Sequence, residues 1–252
     1  MISRASQCDG FSGSTALITG AAGAIGAETA RLFHAQGANI VLADYDAEGI
    51  EVLAAELDAS GHTVIPLRYD AAMTADAALA VTRSLEAFGR LDYVVPSAGI
   101  YPQSPFALIS NEDWERTIRI NLGGVFQLCR AAATAVREGG AIVTIASIAG
   151  HRGSAEHAHY AAAKGGVLAL TRSMARELAP RIRVNAVSPG IIATPMVASL
   201  LEDRGAALKA ETPMGRFGRP EEVASVIAFL CSDAASFING ETVHVNGGLY
   251  MA

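Results

Sequence analysis

The sequence predicts a doubly wound α/β fold, a seven-stranded parallel sheet with helices on both faces. Three observations predict it. Short, almost wholly apolar runs recur along the 252-residue chain, segments with helical spacing separate them, and a glycine-rich turn follows the first run. Strands that lack polar alternation are buried on both faces. Parallel strands joined by helical crossovers of one hand then wind outward from a switch point.

The first strand is Thr15–Thr19, stopped by Gly20, and Ile25, Thr29, Leu32 and Phe33 mark one face of a helix over Gly26–Gln36. A strand at Asn39–Asp44, a helix at about 47–59 and a strand at Thr63–Leu67 follow. The alternation continues with a helix at 75–88, a strand at Asp92–Pro96, a long helix at 111–136 and a strand at Ala141–Ala146. A helix at 157–178, a strand at Arg183–Val187, an irregular stretch at 189–219, a helix at 221–230 and a strand at Thr242–Val245 complete the chain. With no linker, composition shift or repeat, residues 11–252 read as one domain, preceded by a loose arm at 1–10.

Hydrophobic residues make up 51% and charged residues 17%, which suits a compact protein that buries further surface between subunits. The net charge of −6 argues against nucleic-acid binding, which needs a basic stripe. Cys8, Cys129 and Cys231 are odd in number and widely spaced, so neither a disulfide framework nor a zinc site is expected. No apolar run reaches the length needed to span a bilayer and the N-terminus has no secretory core, so a cytoplasmic protein is expected.

Sheets of this kind bind ligands beyond the carboxyl ends of their strands. The Thr19–Gly26 stretch, TGAAGAIG, lies between the first strand and first helix, where bare backbone and a helix N-terminus can receive a pyrophosphate. Asp44 ends the second strand, where a carboxylate bonds adenosine ribose hydroxyls and repels a 2′-phosphate; it would also serve as a helix cap. No Arg or Lys occurs from Thr15 to Ala30 or from Tyr45 to Gly49, which favours NAD over NADP. Asp70, after the third strand, is a candidate for the adenine edge or a solvated carboxylate.

In the His157–Lys164 stretch, HAHYAAAK, Tyr160 and Lys164 stand four residues apart, on one face of a helix. Of 19 basic residues only Lys164 and Lys209 are lysines, so the pairing stands out. An ammonium beside a phenol favours the phenolate and makes it a proton shuttle near neutral pH.

These residues, with Ser97–Gly99, Asn121 in INLGGVF, Ser147 in IVTIAS, PGIIAT at 189–194 and NGG at 246–248, resemble the short-chain dehydrogenase/reductases. The likeness runs from about Phe11 to Leu249, to their compact single-domain, 3-oxoacyl-acyl-carrier-protein reductase-like branch. It implies a Rossmann fold and an NAD-dependent enzyme that interconverts a secondary alcohol and a ketone. It also implies roles. Tyr160 would be the general acid and base, Ser147 would orient the reacting oxygen, Lys164 would bind the nicotinamide ribose and bias Tyr160 towards phenolate, and Asn121 would hold a water leading to solvent. Gly20, Gly23, Ile25, Gly26, Asp44, Asp70, Ala98, Gly99, Tyr160, Lys164, Pro189, Gly190, Ile192 and Thr194 would hold the dinucleotide. A homotetramer is implied as well.

Two departures from the family pattern stand out. Ala24 occupies the usual place of the second motif glycine, and Pro96-Ser97 replaces an Asn-Asn pair whose amide braces the central strand.

The substrate would sit among Tyr101–Phe106, Ile148–His159 and a lid at about 191–215. Tyr101, His151, Arg152, His157 and His159 suggest a polar pocket for a hydroxylated or anionic small molecule, though they would also suit a solvated loop. His157 and His159 diverge on a helix, so no metal is expected. The short Ala135–Gly140 segment offers little basic surface to a carrier protein. A small alcohol, polyol or cyclic ketone is therefore preferred over an acyl-carrier thioester, and a non-catalytic dinucleotide sensor is the remaining rival.

Overall fold

The computed structural model describes residues 10–251. The expected N-terminal arm lies almost wholly outside them. Seven strands, β1 (Thr15–Thr19), β2 (Asn39–Asp44), β3 (Val64–Arg68), β4 (Tyr93–Pro96), β5 (Gly140–Ile145), β6 (Ile182–Pro189) and β7 (Thr242–Val245), form one sheet in the order β3-β2-β1-β4-β5-β6-β7. All adjacent pairs are parallel. This is the doubly wound Rossmann architecture, and its switch point lies between β1 and β4.

Alternation along each strand feeds two cores. From β1 and β2, Ala16, Ile18, Ile40 and Leu42 join Phe33, Ile50 and Ile227 on one face. Those last three come from α1 (Ala24–Ala35), α2 (Ala47–Leu57) and α9 (Pro220–Cys231). Leu17, Val41 and Ala43 point the other way, towards Ala80, Leu128 and Val167. These belong to α3 (Thr74–Phe88), α5 (Gly124–Ala132) and α7 (Ala158–Leu178).

The structure corrects the expected long helix at 111–136. It begins as α4 (Asn111–Ile118), where the Ser110 side chain caps the Asp113 amide, and passes through a wider π turn at Arg119–Gly123. It then resumes as α5 and stops at Ala132, because the chain must turn to bring the Arg137 N–H onto the Leu91 carbonyl at 2.9 Å.

The stretch expected to be irregular is corrected too. β6 continues to Pro189, a 3-10 turn covers Pro195–Val197, and a fourteen-residue helix, α8 (Ala198–Glu211), follows. A short helix, α6 (Ala149–Arg152), lies between β5 and α7. Where the amide before Ala98 is missing, the strand end is tied to Thr19: Ser97 N donates to Thr19 O at 3.2 Å and Ala98 N to the Thr19 hydroxyl Oγ1 at 3.4 Å.

Candidate active site

At the carboxyl end of β1 the chain turns through Gly20 with φ of +66°, a conformation in which a side chain is strained. A Cβ there would also sit 2.6 Å from Ala98 N, so β4 closes over bare backbone. Gly26 is under a stricter limit, since its Cβ would fall 2.2 Å from Gly20 O. Ala24 begins α1 without disturbing this turn, with Gly23 before it as the N-cap. The result is a glycine cradle opening onto a helix N-terminus, which fits a pyrophosphate.

Asp44 closes one side of the cradle. Its Oδ2 accepts from Ala22 N at 2.9 Å and its Oδ1 from Asp46 N at 3.0 Å, and Asp46 rather than Asp44 caps α2. Arg31 lies just past the stretch that lacks basic residues and lines the same cavity with Glu28. Its guanidinium is already committed to Glu28 at 2.7 Å and Glu56 at 2.8 Å.

The cavity has a volume of about 590 Å³ and reaches from the cradle past Gly99 and Asn121 to Ser147, Tyr160, Lys164, Pro189, Gly190, Ile192 and Thr194. Of the expected dinucleotide residues, Asp44, Asp70 and Ala98 do not line this cavity; Asp44 stands behind the glycine turn on Ala22 N, and Ala98 is bonded through its N–H to Thr19. Asp70 is a correction. Its carboxylate accepts from Ala72 N at 2.9 Å to shape the turn before α3, and it does not line the cavity.

Tyr160 and Lys164 rise from one face of α7. Gly150 of α6 packs directly on the Lys164 backbone, where a Cβ would be 2.7 Å from the Lys164 carbonyl carbon. This close approach brings the loop carrying Ser147 alongside. Lys164 is buried, and its Nζ donates to Ile145 O at 2.7 Å. Burial pulls its pKa down to about 8.

Burial pushes the Tyr160 phenol up to about 12, opposed by a hydrogen bond with Ser147. Burial is thus the largest influence on the phenol in the protein alone. Ser147 Oγ also accepts from Ala149 N at 3.2 Å.

Asn121 sits in the π turn, fully buried. Its Oδ1 accepts from Ile100 N and its Nδ2 donates to Ile100 O and Thr117 O, each at 3.1 Å. The side chain braces the loop after β4.

A second cavity of about 450 Å³ meets the first at Ser147, Tyr160, Gly190, Met196 and Val197. Tyr101, Arg152 and His157 line it as expected. His151 and His159 do not. His151 packs against His244 and Tyr250, at 4.7 and 5.0 Å between ring centroids, and His159 is fully buried with both ring nitrogens unpartnered.

Gln103, Glu156, Asp203, Arg204 and Glu211 also line this second cavity. All five lie in the stretches expected around the substrate, where sequence reasoning grouped Glu156 with the histidines and left the other four unspecified. Among the described residues no group of three or more His, Cys, Asp or Glu could hold a metal, and no helix is long and apolar enough to cross a membrane.

A glycine cradle at the switch point of a doubly wound sheet, joined by a cavity to Ser147, Tyr160 and Lys164, defines a dinucleotide-dependent oxidoreductase. Comparison with known proteins agrees. Residues 20–250 match the family model described as enoyl-(acyl carrier protein) reductase. The 3-oxoacyl-acyl-carrier-protein reductase FabG of Salmonella typhimurium is 39% identical, over 96% of this chain and 99% of the relative. Cis-4-hydroxycyclohexanecarboxylate dehydrogenase of Sinomonas cyclohexanicum is 44% identical, over 95% of this chain and 98% of the relative. A solved structure from Brucella melitensis, titled a short-chain dehydrogenase/reductase and glucose/ribitol dehydrogenase, superposes with a TM-score of 0.95. It is 52% identical and covers 98% of this chain and all of its own. The chain belongs to the short-chain dehydrogenase/reductase family of oxidoreductases, whose members bind a nicotinamide dinucleotide.

Proposed function

We propose that the protein is an NAD(H)-dependent oxidoreductase that interconverts a small polar secondary alcohol, a polyol or cyclic alcohol, with its ketone. The observation that carries this reading is the junction of the two cavities at Ser147 and Tyr160. One cavity fits a dinucleotide and the other, with polar walls, fits a compact substrate. Two arginines and three carboxylates share its lining (Arg152 and Arg204 against Glu156, Asp203 and Glu211), which offers no single-signed field to an acidic carrier. The names of two relatives, one a hydroxycyclohexane derivative's dehydrogenase and one a glucose/ribitol dehydrogenase, support the same class.

In this reading the domain is residues 11–252, and the Gly20–Gly26 turn, Asp44, Lys164 and Thr194 hold the dinucleotide. A bound nicotinamide dinucleotide supplies the hydride carrier. Tyr160 Oη gives a proton to the carbonyl oxygen in reduction and takes one from the hydroxyl in oxidation, and Ser147 Oγ donates a hydrogen bond to that oxygen. Lys164, fixed on Ile145 O, holds the nicotinamide ribose hydroxyls and keeps a positive charge below Tyr160. For NAD rather than NADP, the support is Asp44 at the ribose position and the neutralisation of Arg31 by two carboxylates. The protein is taken as a cytoplasmic homotetramer, for which exposed Trp114 and Phe126 on α4 and α5 supply an apolar face.

The second reading is a 3-oxoacyl-acyl-carrier-protein reductase. It is favoured by FabG relatives over nearly the whole chain and by Met196, Val197, Leu200 and Leu208 along one side of the substrate cavity. A panel of polyols, cyclic alcohols, ketones and a 3-oxoacyl thioester, assayed with NAD(H) and NADP(H), separates the two. Turnover of the alcohols with NAD is expected, and turnover confined to the thioester would overturn the first reading.

A further inference from the structure

We propose that His157 selects the substrate: its Nε2 accepts a hydrogen bond from a second hydroxyl, one or two carbons from the reacting carbinol, so that diols and polyols are favoured over simple alcohols. This rests on the dehydrogenase reading above and deepens it.

His157 is the N-cap residue of α7, three residues before Tyr160, and both line the same cavity. Tyr101 fixes the pair. Its ring lies flat on the His157 imidazole, with centroids 4.0 Å apart and planes at 6°, and meets Tyr160 edge-on at 4.7 Å.

The chemistry of the ring follows from one bond. His157 Nδ1 lies 2.8 Å from Ala155 O, and a carbonyl only accepts, so Nδ1 carries the proton. In the neutral ring the lone pair is therefore on Nε2, the remaining polar atom of a residue that lines the substrate cavity. Burial and the neighbouring His159 lower the imidazole pKa from its ordinary value, outweighing Glu156, whose carboxylate acts in the opposite sense. At neutral pH the ring is thus an acceptor.

Among the other groups lining the cavity, the Glu156 carboxylate accepts from Gln103 Nε2 at 2.7 Å, Arg152 and Arg204 only donate, and the acceptors Asp203 and Glu211 come from α8 rather than from the turn that carries Tyr160. The turn that delivers His157 also holds strain. Glu156 has φ of +61°, the one positive φ outside glycine among the described residues, and Ser104 N pins its carbonyl at 2.8 Å. Such backbone persists where the surroundings over-determine it.

The test compares cyclohexane-1,2-diol with cyclohexanol, using NAD+ and three proteins: wild type, His157→Phe and His157→Gln. Phe keeps the ring on Tyr101 and removes the acceptor; Gln restores an acceptor. Wild type should favour the diol by about tenfold in kcat/KM, the worth of one good hydrogen bond. His157→Phe should bring the diol-to-cyclohexanol ratio of kcat/KM to about one through a rise in KM for the diol, and His157→Gln should keep part of the preference. Equal use of both alcohols by wild type, or a preference that survives in His157→Phe, would overturn the inference alone. Oxidation of no alcohol by wild type would overturn the dehydrogenase reading and this inference with it.

Discussion

The Lys164 ammonium donates to the Ile145 carbonyl at 2.7 Å and stands 5.7 Å from the centre of the Tyr160 ring. The cation is anchored to the end of β5, one helical turn from the phenol it serves. Its burial has a thermodynamic consequence. With a pKa near 8 against an ordinary 10.5, the folded protein binds fewer protons than the unfolded chain between those values. Stability therefore rises with pH across that window and carries the full cost below it. The cost is roughly 3 kcal/mol, offset by about 1 kcal/mol for the bond to Ile145. Lys164→Met should raise Tm at pH 7 while lowering turnover by two or more orders of magnitude. A fall in Tm would contradict this account.

Tyr160 titrates high in the protein alone, near 12, so its basic form is a minority species at neutral pH. Alcohol oxidation, which needs the phenolate, should gain in kcat/KM as pH rises from 6 to 9, while ketone reduction, which uses the phenol, should not. An ultraviolet difference titration of wild type against Tyr160→Phe should find no ionisation of this residue below pH 10 until oxidised dinucleotide is added. A Tyr160 that already ionises near pH 7 in the free protein would show that the chain alone activates it.

Asp44 joins the glycine turn to the second strand through its 2.9 Å bond from Ala22 N. Removing the carboxylate takes away a charged acceptor worth about 1.5–3 kcal/mol. Asp44→Ala should weaken NAD binding by about tenfold or more and narrow the gap between NAD and NADP, read by fluorescence titration with each dinucleotide. Tighter binding of NADP than of NAD by wild type would remove the basis for the assigned cofactor.

The excursion that carries α8 is pinned at its neck. Ala193 N donates to Gly218 O and Gly218 N to Ile191 O, both at 2.9 Å, while α8 itself buries only Leu208. Segments with so few buried apolar contacts open at low free energy. Limited proteolysis should therefore cut between residues 193 and 217, and saturating NAD should slow that cut severalfold through Thr194 and Ile192 at the base. Cleavage at an unchanged rate would show that the segment does not respond to the dinucleotide.

The central strands were legible in sequence because they are buried on both faces: Ile18 and Leu42 serve one core and Leu17 and Val41 the other, so their composition is almost wholly apolar. Tyr160 and Lys164 were legible because a helix brings residues four apart together. α8 was not, since a helix that buries Leu208 alone has no apolar stripe to read. The π turn around Asn121 leaves no periodicity in five residues. His157 and His159 were both expected at the substrate pocket, yet His157 is the N-cap of α7 and His159 lies inside the helix. One lines the substrate cavity and the other is enclosed.

The proposed dinucleotide-dependent alcohol–ketone reaction turns on proton transfer by Tyr160. Steady-state turnover of Tyr160→Phe, measured beside its dinucleotide affinity, isolates that step. Turnover of every alcohol used by wild type should fall by at least two orders of magnitude while dinucleotide binding is retained. Undiminished turnover in Tyr160→Phe would remove Tyr160 from the reaction.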